Sequence, residues 1–92
     1  MPNVKKGEKF TLANTNITEL VLNQAPSGCD AVVVIDPTNS GTIALRVGKV
    51  APANMTGQNL YAAGSKAFLR IGRNEKVYAQ ASGANQALTL EY

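Results

Sequence analysis

Asp30 to Gly48 reads DAVVVIDPTNSGTIALRVG, and the fold turns on this stretch. Val32, Val33, Val34 and Ile35 are a β-branched run, suited to a pleated strand covered on one or both faces. Asp36-Pro37-Thr38-Asn39-Ser40-Gly41 stops the run. Proline presets φ and removes a donor, and Asn and Gly tolerate positive φ, so the chain can reverse there. Beyond the break the alternation is strict: Ile43, Leu45 and Val47 point one way, Thr42, Ala44 and Arg46 the other. A period of two marks a strand with one dry face and one wet face. The stretch predicts a β-hairpin. Its connection is too long for a two-residue primed turn, so the alternation must set the register.

The same pattern repeats on both sides. Toward the N-terminus, Met1–Gly7 is polar and reads as an arm. Glu8–Ala13 alternates with Phe10 and Leu12 on one face, and Ile17–Asn23 reads as a strand from its Thr, Ile and Val content. Toward the C-terminus, Gln58–Ala63 is a weaker strand with Leu60 as its core candidate. Three clearer strands follow. Ala67–Ile71 turns Ala67, Leu69 and Ile71 inward, Lys76–Ala81 turns Val77, Ala79 and Ala81 inward, and Gln86–Tyr92 turns Leu88, Leu90 and Tyr92 inward. Pro26 with Gly28, Pro52 with Gly57, Gly64, Gly72 and Gly83 mark the breaks. About eight short strands with regular turns predict an all-β fold, a small antiparallel β-sandwich or barrel, with an arm over residues 1–7 and one domain over residues 8–92.

Composition narrows the chemistry. The chain has 92 residues and no histidine, so it lacks the commonest general base and metal ligand. Neither a Ser-His-Asp nor a Cys-His site can be built. Asp30 and Asp36 bracket one strand, roughly 20 Å apart along it, too far for a glycosidase pair; they read as strand-end and turn residues. Cys29 is the one cysteine and reads as a small apolar filler. No glycine-rich phosphate loop and no oxygen-rich calcium loop is present. No catalytic, cofactor or metal site is expected. The N-terminus carries no secretory leader pattern and no apolar run long enough to span a membrane, so neither export nor membrane insertion is expected.

Surface residues supply the remaining candidates. Net charge is +3, and Lys5, Lys6 and Lys9 form the only basic cluster. Phe68 and Arg70 share a face by alternation; with Tyr78 on a neighbouring strand they would make a small stacking platform of the kind single-strand nucleic-acid binders use. Covering a sheet or filling a subunit contact is the more ordinary use of such aromatics, and nucleic acid is the less expected partner. Tyr61 with Gln58 and Asn59 is a candidate glycan contact. Charged residues are only 16% of the chain, and a lightly charged polar surface lowers the cost of forming interfaces.

The second half of the chain carries a resemblance. Asp36-Pro37 is followed by Asn39-Ser40-Gly41 and by Thr42-Ile43-Ala44-Leu45-Arg46-Val47-Gly48. Next come Gly64, Ala67-Phe68-Leu69-Arg70-Ile71 and Val77-Tyr78-Ala79-Gln80-Ala81-Ser82-Gly83. Ala87-Leu88-Thr89-Leu90-Glu91-Tyr92 closes the pattern. Across residues 30–92 this resembles the small β-sandwich structural proteins of tailed bacteriophage virions, of the capsid decoration (cement) or head-fibre-base type. The resemblance implies a non-enzymatic virion structural protein, made in the host cytoplasm and placed on the capsid exterior. It also implies a homo-oligomer, commonly a trimer, that bridges the major capsid protein or other virion proteins. It fixes no functional residue. The partner-contact candidates remain Lys5, Lys6, Lys9, Phe68, Arg70 and Tyr78, taken from the arm and from the exposed aromatics.

Overall fold

The computed structural model describes residues 7–22 and 28–92. They form eight strands: β1 (Gly7–Leu12), β2 (Thr18–Leu20), β3 (Cys29–Ile35), β4 (Ile43–Gly48), β5 (Leu60–Tyr61), β6 (Lys66–Ile71), β7 (Lys76–Ala81) and β8 (Gln86–Glu91). The strands make two four-stranded antiparallel sheets, sheet A in the order β1-β8-β3-β6 and sheet B in the order β2-β7-β4-β5. The all-β sandwich is therefore the fold. The arm expected over residues 1–7 lies outside the described residues except for Gly7, which belongs to β1.

The hairpin expected over Asp30–Gly48 does not form. β3 lies in sheet A between β8 and β6, whereas β4 lies in sheet B between β7 and β5. The Asp36–Thr42 link is an arch that carries the chain from one sheet to the other. Both alternating faces are still buried, but they oppose each other across the sandwich. Val33 and Ile35 of β3 and Ile43 of β4 are fully buried in one core cluster with Leu88, Leu90 and Val77. A hairpin would have put both faces on one side of one sheet and left the second sheet to be built from elsewhere.

Side-chain hydrogen bonds hold the arch open. The Asp36 N–H still donates to Ala87 C=O at 3.1 Å, so Asp36 belongs to the sheet A ladder. The Asp36 carboxylate then turns the chain by accepting from the Thr38 N–H at 2.8 Å and the Thr38 hydroxyl at 2.6 Å. Asp36 C=O is taken by the Asn39 N–H, so it is not offered to Ala87. The Asn39 side chain stands in for it: its Oδ1 accepts from Ala87 N–H and its Nδ2 donates to Ala87 C=O, both at 2.8 Å. Gln86, only 2% exposed, binds the far side of the arch. Its Oε1 accepts from Gly41 N–H at 2.8 Å, and its Nε2 donates to Ser40 Oγ at 3.1 Å and to Ala84 C=O at 2.8 Å. Thr42 already belongs to the opposite layer, donating its N–H to Ser82 Oγ and accepting from Ser82 N–H, both at 2.9 Å. A Cβ at Gly41 would displace Ser82 Oγ, the acceptor for Thr42 N–H.

Crossing is the rule in this chain. Among the described strands only the β4–β5 link stays within one sheet; every other connection changes layer. Strand partners are accordingly distant in sequence, and β1 pairs along its length with β8. The Tyr92 hydroxyl donates to a Glu8 carboxylate oxygen, which ties the two ends of the described domain together. Two further expectations need correction. Leu60 is 66% exposed, and Tyr61 packs on the core instead, opposite Ile43. The strand expected over Ile17–Asn23 is shorter, Thr18–Leu20, and Asn23 lies outside the described residues.

The arch contacts generate a stability prediction. Asn39→Ala removes the partner of Ala87 N–H at a half-buried position. Gln86→Leu orphans Gly41 N–H inside the molecule. Each is expected to cost about 1–3 kcal/mol, in the range for unsatisfied buried groups. Urea unfolding of the two variants checks this; a loss below about 1 kcal/mol for both would mean that the clamp is incidental.

Candidate functional site

The two outer faces of the sandwich are treated differently. On sheet B, Ala44 and Tyr78 lie at outward positions by alternation and stand outside the core cluster, yet Ala44 is 3% and Tyr78 5% exposed. Cross-strand partners account for part of this: Tyr78 sits between Glu19 of β2 and Arg46 of β4. The link between β4 and β5 covers the Ala44 side. Its Met55 is buried, and with Asn54 and Thr56 it lines a depression over Ala44, Leu60 and Gln80. The link holds its own shape by two turns, Gln58 N–H to Met55 C=O and Thr56 N–H to Asn54 Oδ1.

Sheet A has no such cover among the described residues. Its outer face runs in register across the strands. One row reads Gly7, Glu91, Val32, Phe68, and the next reads Lys9, Thr89, Val34, Lys66. Arg70 lies opposite Asp30 beside them. Phe68 is 80% exposed, the largest exposure of any large apolar side chain described. Val32 and Val34 are half-buried next to it. Between β3 and β6, Asp30, Val32, Phe68 and Arg70 line an open groove of about 400 Å³.

β6 is also the edge of this sheet. The Ile35 N–H donates to Ser65 C=O, which fixes which β6 residues face β3. By the alternation of an antiparallel ladder, Ala67, Leu69 and Ile71 turn their backbone toward β3. The N–H and C=O of Lys66, Phe68 and Arg70 then point away from the sheet. One strand thus presents a row of main-chain donors and acceptors, an exposed aromatic ring and two cations. Neither Lys66 nor Arg70 is in an ion pair with a described residue.

The sequence candidates are distributed as follows. Phe68 and Arg70 share the outer face of β6, as the alternation requires. Tyr78 does not join them: it is buried in the other sheet, so the Phe68–Arg70–Tyr78 platform does not exist. Lys5 and Lys6 lie outside the described residues. Lys9 is on β1, the opposite edge of sheet A from β6, with its ammonium 4.0 Å from an Asp36 carboxylate oxygen. Tyr61 packs on the core opposite Ile43 and is half-buried, so its ring is only partly open beside Gln58 and Asn59. Lys66 is the residue that reading the chain missed. The alternation that pairs Phe68 with Arg70 also includes Lys66, once β6 is started one residue earlier.

No three His, Cys, Asp or Glu side chains cluster to hold a metal among the described residues. No helix among them is long and apolar enough to cross a membrane. Asp36 is the one described carboxylate with a clear shift. The Thr38 hydroxyl and then the Thr38 N–H hold it below the ordinary carboxylate range; desolvation opposes them, and the Lys9 charge adds the smallest contribution downward. A depressed carboxylate stabilises the fold above its ordinary range, and that contribution disappears as pH falls through the lowered value. Its role is structural, at the start of the arch.

No protein-family model matches this chain, and no curated protein or solved structure matches it. The labels bacteriophage, virion, capsid, cement and decoration protein, drawn from the pattern over residues 30–92, therefore fall away. The physical reason is plain in the fold. Alternating strands separated by Asn, Gly and Ser turns are what any small sandwich requires, so the pattern reports architecture and not lineage.

Two measurements test this description. Phe68→Ser is expected to leave urea stability within about 0.5 kcal/mol of the parent, as for an exposed side chain, whereas Tyr78→Ala is expected to cost about 3 kcal/mol or more. Equal losses would mean that Phe68 serves the fold. In an NMR titration the Asp36 carboxyl is expected to lose its proton below the ordinary carboxylate range, and Thr38→Ala to return it upward. An unchanged midpoint in the variant would contradict the Thr38 assignment.

Proposed function

We propose that this chain is a non-enzymatic interaction module that works by presenting the outer face of sheet A, at the β3–β6 side, to a protein neighbour. One observation carries the reading: among the described residues, a loop packs over the Ala44 side of sheet B's outer face, whereas none covers sheet A's outer face around an 80% exposed phenylalanine. Exposed aromatic anchors with cations at their flanks are the residue types that dominate protein interfaces. The absence of histidine supports the non-enzymatic part, since proton transfer near neutral pH has no ready carrier. A homo-oligomer is one assembly that this face can build, with a second copy as the neighbour.

Site-specific crosslinking tests the reading. A benzophenone amino acid in place of Phe68 is expected to give one dominant covalent adduct when the chain is expressed in its own cell. The same group in place of Thr56, on the loop over sheet B, is expected to give none. An adduct at twice the chain mass identifies a second copy as the neighbour. Equal labelling at both positions, or labelling at neither, would contradict a dedicated face.

A further inference from the structure

We infer that the neighbour binds β6 by strand addition, as an extended segment with two carboxylate side chains four residues apart and an apolar side chain midway between them. The inference rests on the interaction-module reading and names the partner's chemistry. Three features of β6 carry it. The N–H and C=O of Lys66, Phe68 and Arg70 point off the sheet edge, by the parity that the Ile35–Ser65 bond sets. The side chains of the same three residues stand on the uncovered outer face. Residues opposite them on an added antiparallel strand project to that face too, so each partner side chain meets its β6 counterpart directly. A carboxylate opposite Lys66, an apolar group on Phe68 and a carboxylate opposite Arg70 satisfy all three, with main-chain bonds giving affinity and alternate side chains giving specificity.

Charge decides between this occupant and a second copy of β6. The longest antiparallel self-pairing places Phe68 opposite Phe68 and uses all three outward-facing residues. It also sets Lys66 opposite Arg70 of the other copy, twice, and like charges directly opposite are destabilising. Shifting by two residues relieves the clash only by moving Lys66 opposite Gly72 or Arg70 opposite Gly64, beyond the strand ends. Gly72 cannot pair there, because Glu75 takes both its N–H and its C=O. The flanking cations thus discourage β6 from joining itself and favour an acidic strand. Asp30, opposite Arg70 on the inner neighbour, is the one acidic group beside the groove, and it makes no ion pair with Arg70. Glu91 lies beyond it, opposite Val32.

The test uses the full chain and two capped peptides, Thr-Glu-Val-Ile-Val-Glu-Thr and Thr-Lys-Val-Ile-Val-Lys-Thr, followed by amide NMR and hydrogen exchange. The acidic peptide is expected to give saturable shifts centred on β6 and to slow exchange about tenfold or more at Lys66, Phe68 and Arg70, with none of this at Ala67 and Leu69, whose amides already face β3. Its affinity is expected to fall several-fold from about 0.05 M to 0.5 M salt, because the flanking pairs are solvent-exposed. The double variant Lys66→Glu, Arg70→Glu is expected to reverse the preference to the lysine peptide; both changes are at exposed positions, and the amide spectrum of β1, β7 and β8, away from both changes, reports that the variant folds. Equal binding of both peptides, or binding of neither, overturns the inference. So does peptide-independent doubling of the mass with the same three amides protected, which makes a second copy the occupant. A Phe68 crosslink without acidic-peptide binding defeats strand addition alone and leaves the interaction reading standing. Absence of both defeats the two together.

Discussion

The architecture depends on a backbone that is completed by side chains. Where sheet A ends, Ala87 should find its next partner on the strand beside it, but that strand has already turned away. Asp36 still donates to Ala87 C=O, and the Asn39 amide supplies the missing acceptor for Ala87 N–H and a second donor to Ala87 C=O. One residue earlier, the Gln86 amide holds the Gly41 N–H as the arch descends to the other layer. Buried main-chain groups must be paired, and a chain can leave a sheet only where something satisfies what it abandons. No buried side-chain nitrogen or oxygen is left without a partner among the described residues, so the clamp is complete.

That constraint places the candidate site. Because β3 and β4 separate, β3 is free to pair with β6 on one side and β8 on the other. β6 thereby becomes an edge in the layer that the β4–β5 loop cannot reach, since that loop begins and ends in sheet B. Had β3 and β4 formed a hairpin, the same loop would have risen from the same sheet as β3. The bare face and its exposed phenylalanine are consequences of the crossing. An open sheet edge is a liability in any β protein, and charged flanks are one way of managing it. Lys66 and Arg70 fit that duty against self-pairing while remaining available to an opposite charge.

Strand content was legible because alternation is local. The inward faces of β4, β6, β7 and β8 follow from period two alone, and each packs on the core, with Val47, Leu69 and Tyr92 partly buried. Partner choice was not legible, because alternation says which way a side chain points and not which strand lies beside it. Asp36-Pro37-Thr38-Asn39-Ser40-Gly41 reads equally as a hairpin loop or an arch. The difference lies in Ala87 and Gln86, more than forty positions away in the chain. Gln86 looked like a polar strand start and is instead buried and fully engaged. Half of the candidate site was visible for the same reason: Phe68 and Arg70 are two apart on one strand, whereas Tyr78 was joined to them by an assumed strand neighbour that the topology denies. Val32 and Asp30 enter the groove only through the β3–β6 register, which no short-range pattern encodes.

The separation of β3 from β4 can be read directly from contacts between backbone α-protons in solution. In an antiparallel ladder the closest such pairs belong to residues that do not exchange hydrogen bonds, here Asp30 with Arg70 and Val32 with Phe68. A nuclear Overhauser spectrum of the chain is expected to show both contacts and to show none between the α-protons of Cys29–Ile35 and those of Ile43–Gly48. A ladder of α-proton contacts between those two strands would restore the hairpin and remove the edge on which the proposed function stands.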